Sequence, residues 1–203
     1  MKTDALIIFT RNPELGKVKT RLAKTIGDEK ALQVYCDLLL HTMTESKPVN
    51  CDKFVFYDST IVEDDIWSKE FYHKKLQSSG DLGKRMHDAF ETLFEMGYQN
   101  CIIIGSDLFD LKTSLIDTAF IKLLDHEAVI GPAEDGGYYL LGLKQNNSLI
   151  FQNKDWGTST VFKATISDLT AHKVCVLDTL NDIDTFEDLE RSSYNLAGIK
   201  TVL

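Results

Sequence analysis

The stretch Ala5–Leu22, ALIIFTRNPELGKVKTRL, contains the features that decide the fold. Residues 5–9 form an unbroken apolar run, which is typical of a strand covered on both faces in a parallel sheet. The loop that follows carries four cations in eleven residues and a central glycine, Gly16. The sequence therefore predicts a buried strand that ends in a basic loop.

Similar apolar runs recur along the chain and alternate with segments of helical periodicity. The strand-like runs are 53–57, 101–105, 128–131 and 174–177, and the helical segments start near Asp28 and cover 83–96, 115–124, 159–171 and 185–191. This alternation predicts a Rossmann-like three-layer α/β/α sandwich around a mainly parallel sheet, with residues 138–143 as an antiparallel addition. Without a repeat or a linker, residues 1–203 are expected to form a single domain.

Composition excludes several classes of protein. The chain has 203 residues and a formal net charge of -9, which argues against general nucleic-acid binding. Its four cysteines form no CxxC pair, so free thiols in a reducing cytoplasm are expected rather than a zinc site. No apolar run is long enough to span a membrane, and the N-terminus lacks the small-residue cleavage site of a signal peptide.

In an open α/β sheet, ligands bind beyond the carboxyl ends of the strands. The loop after the first strand combines cations with a turn-forming glycine, which favours phosphate. The alternative is a solvated basic loop, and the GxxxxGK[ST] spacing of a P-loop is absent. The predicted phosphate-binding residues are Thr10, Arg11, Gly16, Lys17, Lys19 and Arg21.

Two carboxylates follow later strands and are candidate ligands for magnesium or manganese. Asp107 comes two positions after the run 101–105, where a carboxylate beside a diphosphate suits a divalent cation. Asp184 precedes the last helix and is the candidate second ligand, although Thr185 and Asp188 could instead form a helix cap there. Asp110 is interpreted as a turn or helix cap.

The segment Glu134–Tyr138, EDGGY, follows the run 128–131 and predicts a tight turn where the backbone can approach a ligand. Asp-Gly is also a strong hairpin signal, and both readings can hold together. The turn is expected to present Asp135, Gly136, Gly137 and Tyr138 to a substrate.

The segment Gln77–Met86 opens a helix with small residues and a basic side chain. Gly80, Asp81 and Arg85 are candidate contacts to a nucleoside or a phosphate, while a solvated helix face is the alternative for Arg85. Trp156, before the helix 159–171, is expected either to cover an acceptor site or to cover the core.

Together these segments resemble the DUF2064 family, often labelled glycosyltransferases of arsenosugar biosynthesis, within the GT-A or nucleotide-diphospho-sugar transferase superfamily. The blocks that carry the resemblance are FTRNPELGKVKTRLA, QSSGDLGKRMHDAF, IIIGSDLFDL, AVIGPAEDGGYYLLGL and NDIDTFEDL. The resemblance implies a GT-A fold, a metal held by Asp107 and Asp184, and a phosphate-contacting loop with Arg11, Lys17, Lys19 and Arg21. Leu108-Phe109 replaces the Cys-Pro usual in the family, and Trp156-Gly157 replaces its Trp-Ser.

Three functions use the same parts. A metal-dependent glycosyltransferase would transfer a sugar from a nucleotide-diphosphate donor to a small-molecule acceptor, with Asp135 or, second, Glu134 as general base. A nucleotidyltransferase would join a nucleoside triphosphate to a phosphorylated substrate and release pyrophosphate, and Lys19-Thr20-Arg21 resembles the loop of guanylyl- and cytidylyltransferases. A non-catalytic nucleotide-binding domain would bind without turnover.

Overall fold

A computed structural model describes residues 3–194. Within that range the chain forms one seven-stranded sheet in the order β3-β2-β1-β4-β6-β5-β7. The strands are β1 (Asp4–Thr10), β2 (Asp52–Tyr57), β3 (Tyr72–Leu76), β4 (Asn100–Ile104), β5 (Ala128–Pro132), β6 (Tyr138–Leu143) and β7 (Val174–Val176). The helices are α1 (Thr20–Ile26), α2 (Asp28–Ser46), α3 (Leu82–Glu95), α4 (Thr113–Asp125), α5 (Val161–Asp168) and α6 (Phe186–Arg191), with a 3-10 helix at Ser148–Phe151.

The alternation of side chains along β1 shows why helices cover both faces of the sheet. Leu6 and Ile8 pack with α2 and α4 in one buried cluster. Ala5 and Ile7 pack with α3 in a second cluster on the opposite face. Because successive residues of a strand point to opposite faces, an unbroken apolar run must be covered twice. The predicted three-layer α/β/α sandwich is confirmed.

The antiparallel strand lies inside the sheet rather than at its edge. β6 pairs antiparallel with both β4 and β5, whereas the other strand pairs are parallel. A short turn joins β5 to β6, and such a turn can connect only antiparallel neighbours. Inserting β6 leaves β4 and β5 pointing the same way, so the carboxyl ends of all strands except β6 reach one edge.

The strand run 174–177 was expected to be covered on both faces, and this expectation is wrong. β7 lies at the edge of the sheet, and Val176 is 51% exposed. Within residues 3–194, no helix combines the length and apolar character that crossing a membrane requires.

Candidate functional site

The first cavity lies at the carboxyl edge of the sheet, where β1, β2, β3 and β4 end. Its volume is about 480 Å³, a size suited to a ligand of nucleotide class. Seven of the residues predicted from strand-end position line it together: Thr10, Arg11, Lys19, Arg21, Arg85, Asp107 and Asp184. The topology of the sheet thus brings cationic and acidic side chains from widely separated segments to one cavity.

At the centre of this cavity, one ammonium group joins the two predicted metal ligands. Lys19 Nζ lies 3.1 Å from Asp107 Oδ2 and 3.8 Å from Asp184 Oδ1. Arg21 pairs with the other oxygen of Asp184 at 3.0 Å. The Lys19 side chain is only 5% exposed, against 42% for Asp107 and 38% for Asp184. A buried cation therefore holds two half-exposed carboxylates that face the solvent-accessible cavity.

The backbone at Lys19 explains how its side chain reaches inward. Lys19 has φ 48° and ψ 42°, the left-handed region, and immediately precedes α1. A non-glycine residue in this region carries a backbone cost of about 1–2 kcal/mol. The conformation turns the chain into α1 and coincides with burial of the ammonium between the carboxylates, as expected where strain is retained at a functional site.

Two further residues organise the cavity wall. The Tyr35 hydroxyl accepts the Arg11 N–H at 2.9 Å and donates to the Arg11 carbonyl at 3.2 Å. Gln77 Nε2 donates to the carbonyls of Thr10 and Phe56, and its Oε1 accepts from Arg85. Gln77 thereby ties the ends of two strands together and positions Arg85. No pattern in the sequence indicates these roles, because both depend on contacts between distant segments.

Four residues predicted to bind the nucleotide or its phosphates lie outside the lining of this cavity. Lys17 pairs with Glu14 on the surface and its side chain is 70% exposed. Gly16 has φ 73°, and an added Cβ there would lie 3.8 Å from Asp28 Oδ2. Asp81 caps α3 by accepting the Lys84 N–H, and Gly80, with φ 119°, shapes the turn before that cap. In this structure they form turns, a helix cap and a surface ion pair.

A second, smaller cavity of about 180 Å³ adjoins the first. Leu82, Gly105 and Asp107 line both spaces, so Asp107 stands at their junction. Asp135, Gly137, Tyr138 and Trp156, all predicted substrate contacts, line the second cavity. Glu134, the other predicted base, is absent from its lining and pairs with Arg191 instead. The two adjacent acids thus have different surroundings, since Asp135 lines the cavity and Glu134 does not.

The Asp-Gly-Gly turn that joins β5 to β6 has a structural role as well as a place at the cavity. Asp135 Oδ1 accepts the Gly137 N–H at 2.7 Å, and the Gly136 carbonyl accepts the Phe162 N–H at 2.9 Å. Gly136 has φ 88°, and an added Cβ would lie 2.3 Å from the Ser159 carbonyl oxygen. The turn therefore packs Gly136 against the start of α5 and leaves Asp135 fixed beside the cavity.

We expect Gly136→Ala to lower the free energy of unfolding by about 2–4 kcal/mol, because it combines an unfavourable φ with a backbone clash. Gly97→Ala is the matched control: its φ is 92°, but an added Cβ would meet nothing within 4 Å. We expect about 1–2 kcal/mol there, the cost of the left-handed conformation alone. Urea denaturation of both variants measures the difference, and equal losses would contradict the clash.

Asp182 is a residue that the sequence reasoning missed. It lines the second cavity with Asp107 and Asp135. Burial, and then the charges of Asp107 and Asp135, raise the pKa of Asp182 to about 7. The signal in the sequence was the pattern Asp182-Ile183-Asp184, in which two acids flank an apolar residue. The structure buries Ile183 completely. A cation bound here would reduce the repulsion between these carboxylates.

The two positions that depart from the usual family pattern after Asp107 point into the core. Leu108 is 2% exposed and belongs to a buried cluster. The Phe109 ring contacts His41 and Tyr194. Neither residue lines either cavity. Gly157, by contrast, lines the second cavity with φ 81°.

Comparisons with known proteins agree with this architecture. A model of the family described as "Uncharacterized protein conserved in bacteria (DUF2064)" matches residues 42–158. No curated protein matches the chain. A crystal structure from Desulfovibrio desulfuricans G20, provisionally named a nucleotide-diphospho-sugar transferase, is 29% identical with a TM-score of 0.87, covering 98% of this chain and 91% of that chain.

More distant solved structures share the fold alone. A cytidylyltransferase from Leptospira borgpetersenii serovar Hardjo-bovis (strain JB197) is 14% identical with a TM-score of 0.62, covering 94% of this chain and 84% of that chain. Rv0371c from Mycobacterium tuberculosis H37Rv, solved in complex with manganese, is 10% identical with a TM-score of 0.53, covering 94% and 97%. The fold is thus shared by proteins named for sugar-nucleotide and for nucleotidyl chemistry.

Proposed function

Because the chain belongs to the DUF2064 family and is a transferase of the nucleotide-diphospho-sugar transferase fold, we propose that it transfers a sugar from a nucleotide-diphosphate donor to a small-molecule acceptor. The observation that carries this proposal is the pair of adjoining cavities that meet at Asp107. One cavity is lined by four cationic side chains together with three carboxylates, and the other by aromatic side chains and carboxylates without a basic side chain among the described residues. Two substrates placed in them would meet at the junction.

The donor set at the junction fits a divalent metal ion. Asp107 and Asp184 direct carboxylate oxygens toward one shared ammonium. Oxygen ligands of this kind suit magnesium and manganese. The manganese complex of Rv0371c is a precedent within the fold. We propose that Asp107 and Asp184 hold the ion; when bound, it would supply positive charge that stabilises a leaving diphosphate.

The residues of the first cavity perform the donor half of the proposed reaction. Arg11, Arg21 and Arg85 surround the space with guanidinium groups, which pair well with phosphate oxygens. Lys19 adds a buried ammonium beside the carboxylate pair. These cations bind the diphosphate and stabilise the charge that develops on it as its bond to the sugar breaks.

The second cavity performs the acceptor half. The acceptor oxygen forms a bond to the anomeric carbon while the bond from that carbon to the diphosphate breaks. Asp135 is the proposed general base that takes the hydroxyl proton, since it lines the cavity and the Gly137 N–H fixes its carboxylate. Glu134, paired with Arg191, is not retained for this role.

A nucleotidyltransferase is the second candidate, because four cationic side chains line the first cavity and would also suit a triphosphate. In that reaction a phosphorylated substrate attacks the α-phosphorus and pyrophosphate leaves. The two reactions therefore differ in their released product.

The proposal is tested by incubating the protein with sugar nucleotides, or with nucleoside triphosphates and sugar phosphates, each with manganese or magnesium. We expect nucleoside diphosphate from one sugar nucleotide, at least by slow transfer to water when no acceptor is present. Calorimetry with UDP, GDP and CDP identifies the base beforehand. Pyrophosphate release would assign the second candidate, and binding without any turnover would contradict both.

A further inference from the structure

We infer that the acceptor of this transferase is a small, non-phosphorylated molecule with an apolar ring or chain next to its reacting hydroxyl. This inference rests on the proposed function and adds the chemical class of the second substrate. It is carried by the contrast between the linings of the two adjoining cavities.

The lining of the second cavity contains no basic side chain among the residues that the structure describes. Its walls are aromatic and aliphatic, and its acids are Asp107, Asp135 and Asp182. The apolar wall residues are Leu82, Met86, Tyr138, Tyr139, Trp156 and Val161. The first cavity, which shares Asp107 with the second, has four cationic side chains in its lining. Positive charge is therefore concentrated on the donor side.

A phosphate group in the second cavity would be electrostatically unfavourable. Proteins that bind a phosphate surround it with Arg, Lys or backbone N–H groups. Here the phosphate would lose part of its hydration beside Asp107, Asp135 and Asp182, and no Lys or Arg side chain among the described residues lines the cavity to replace that water. A hydroxyl group is favourable in this cavity, because it donates a hydrogen bond to a carboxylate and carries no charge. The lining thus selects against the phosphorylated co-substrate that nucleotidyl transfer requires.

The aromatic wall is shaped before any ligand arrives. The rings of Tyr138 and Trp156 meet edge to face, with centroids 6.5 Å apart and an interplanar angle of 83°. Trp156 also packs against α3 at Gly83, where an added Cβ would lie 2.6 Å from the indole. Burial raises the pKa of Tyr138, so its phenol remains neutral. A fixed, uncharged aromatic surface favours the flat apolar face of a ring.

The size of the cavity limits what it accepts. A volume of about 180 Å³ corresponds to roughly six water molecules by their share of liquid volume. This space suits one ring-sized group. The proposed acceptor therefore places its apolar part in the cavity and its hydroxyl at Asp135.

The test compares two ligands that differ only by a phosphate: phenyl glucoside and phenyl glucoside 6-phosphate. Each is titrated into the protein saturated with manganese and its nucleoside diphosphate, and Trp156 fluorescence is recorded. Trp156→Phe identifies the signal, since the other tryptophan, Trp67, is 1% exposed in the core. We expect phenyl glucoside to bind at least about tenfold more tightly than its 6-phosphate, because like charges repel in the acidic cavity.

A charge-introducing pair of variants sharpens the test. Thr158 is exposed and lines the second cavity, so Thr158→Lys adds a cation at its mouth. We expect this change to reduce the ratio of the two affinities, phenyl glucoside over its 6-phosphate, by about tenfold, because the new positive charge attracts the phosphate. Thr170→Lys adds the same charge at an exposed position outside the lining and is expected to leave the preference unchanged.

The outcomes separate this inference from the proposed function. Equal or tighter binding of the phosphorylated ligand would overturn the inference, as would the absence of any Trp156 response to either ligand. Nucleoside diphosphate binding with manganese would in both cases still support the donor site. If the wild-type protein did not bind any nucleoside diphosphate with manganese, the proposed function itself would be overturned.

Discussion

Replacing Asp107 by Asn is expected to lower the manganese-dependent affinity for a nucleoside diphosphate by at least about 100-fold. Loss of a hydrogen-bonding partner behind a metal ligand already costs about 10–100-fold in metal affinity, so loss of a ligand should cost no less. Asp107 also lines both cavities, which makes it the contact most central to the proposed site. Calorimetry with and without manganese measures the change.

The fold should survive this substitution. Asp107 is half-exposed, and Lys19 keeps Asp184 as a partner at 3.8 Å. Asp110→Asn is the matched control, because Asp110 lies three positions along the chain, outside both cavity linings, and accepts from Ser193. Undiminished manganese dependence in Asp107→Asn, or an equal loss in Asp110→Asn, would contradict the metal assignment.

Lys19→Met is expected to have the second large effect. Without the ammonium, Asp107 loses its ion-pair partner, while Asp184 keeps its ion pair with Arg21 at 3.0 Å. We expect a loss of about 1–2 kcal/mol of stability without metal, less than for a fully buried pair because both carboxylates are partly exposed. We also expect at least about tenfold weaker diphosphate binding, since a charge-assisted contact is removed.

The backbone does not complicate this comparison. Methionine, like lysine, is a non-glycine residue, so the cost of the left-handed conformation at position 19 is nearly the same before and after the change. Manganese should restore part of the lost stability, because a divalent cation can replace the ammonium between the carboxylates. Thermal unfolding with and without manganese, beside diphosphate calorimetry, reports both effects.

Lys17→Met is the control for Lys19→Met. Both lysines belong to the same basic loop, but Lys17 is exposed and paired with Glu14 outside the cavity lining. We expect neither its stability nor its diphosphate affinity to change by more than the modest amounts typical of a surface ion pair. If the two variants weakened diphosphate binding equally, the cavity would not be the phosphate site.

Much of the fold was predictable from the sequence, because each apolar run reports its own burial. Residues 5–9 are apolar at every position, and such a run is stable only when both faces of a strand are covered. The place of β6 between β4 and β5 was not predictable, since residues 138–143 have no local signal for their second partner. Pairing between distant strands depends on the completed sheet.

The residues at strand ends were found from position alone, but their individual contacts were not. The sequence determined that the loops with Lys19, Asp107 and Asp184 all follow strands, and parallel strands end at one edge. It could not tell Lys19 from Lys17, and it ranked Asp135 ahead of Glu134 without knowing the partners of either acid. Those choices depend on a backbone torsion at Lys19 and on the partners Glu14 and Arg191.

The tertiary structure alone decided the electrostatics of the site. Asp182 has a raised pKa because the folded chain buries it and brings Asp107 and Asp135 close to it. Gln77 holds Arg85 because the ends of β1 and β2 meet beside it. By itself, then, the sequence determined the layers of the fold and the edge where chemistry is placed. Burial and charge proximity arise between segments far apart in the chain, so only the folded molecule fixes which side chains share a cavity.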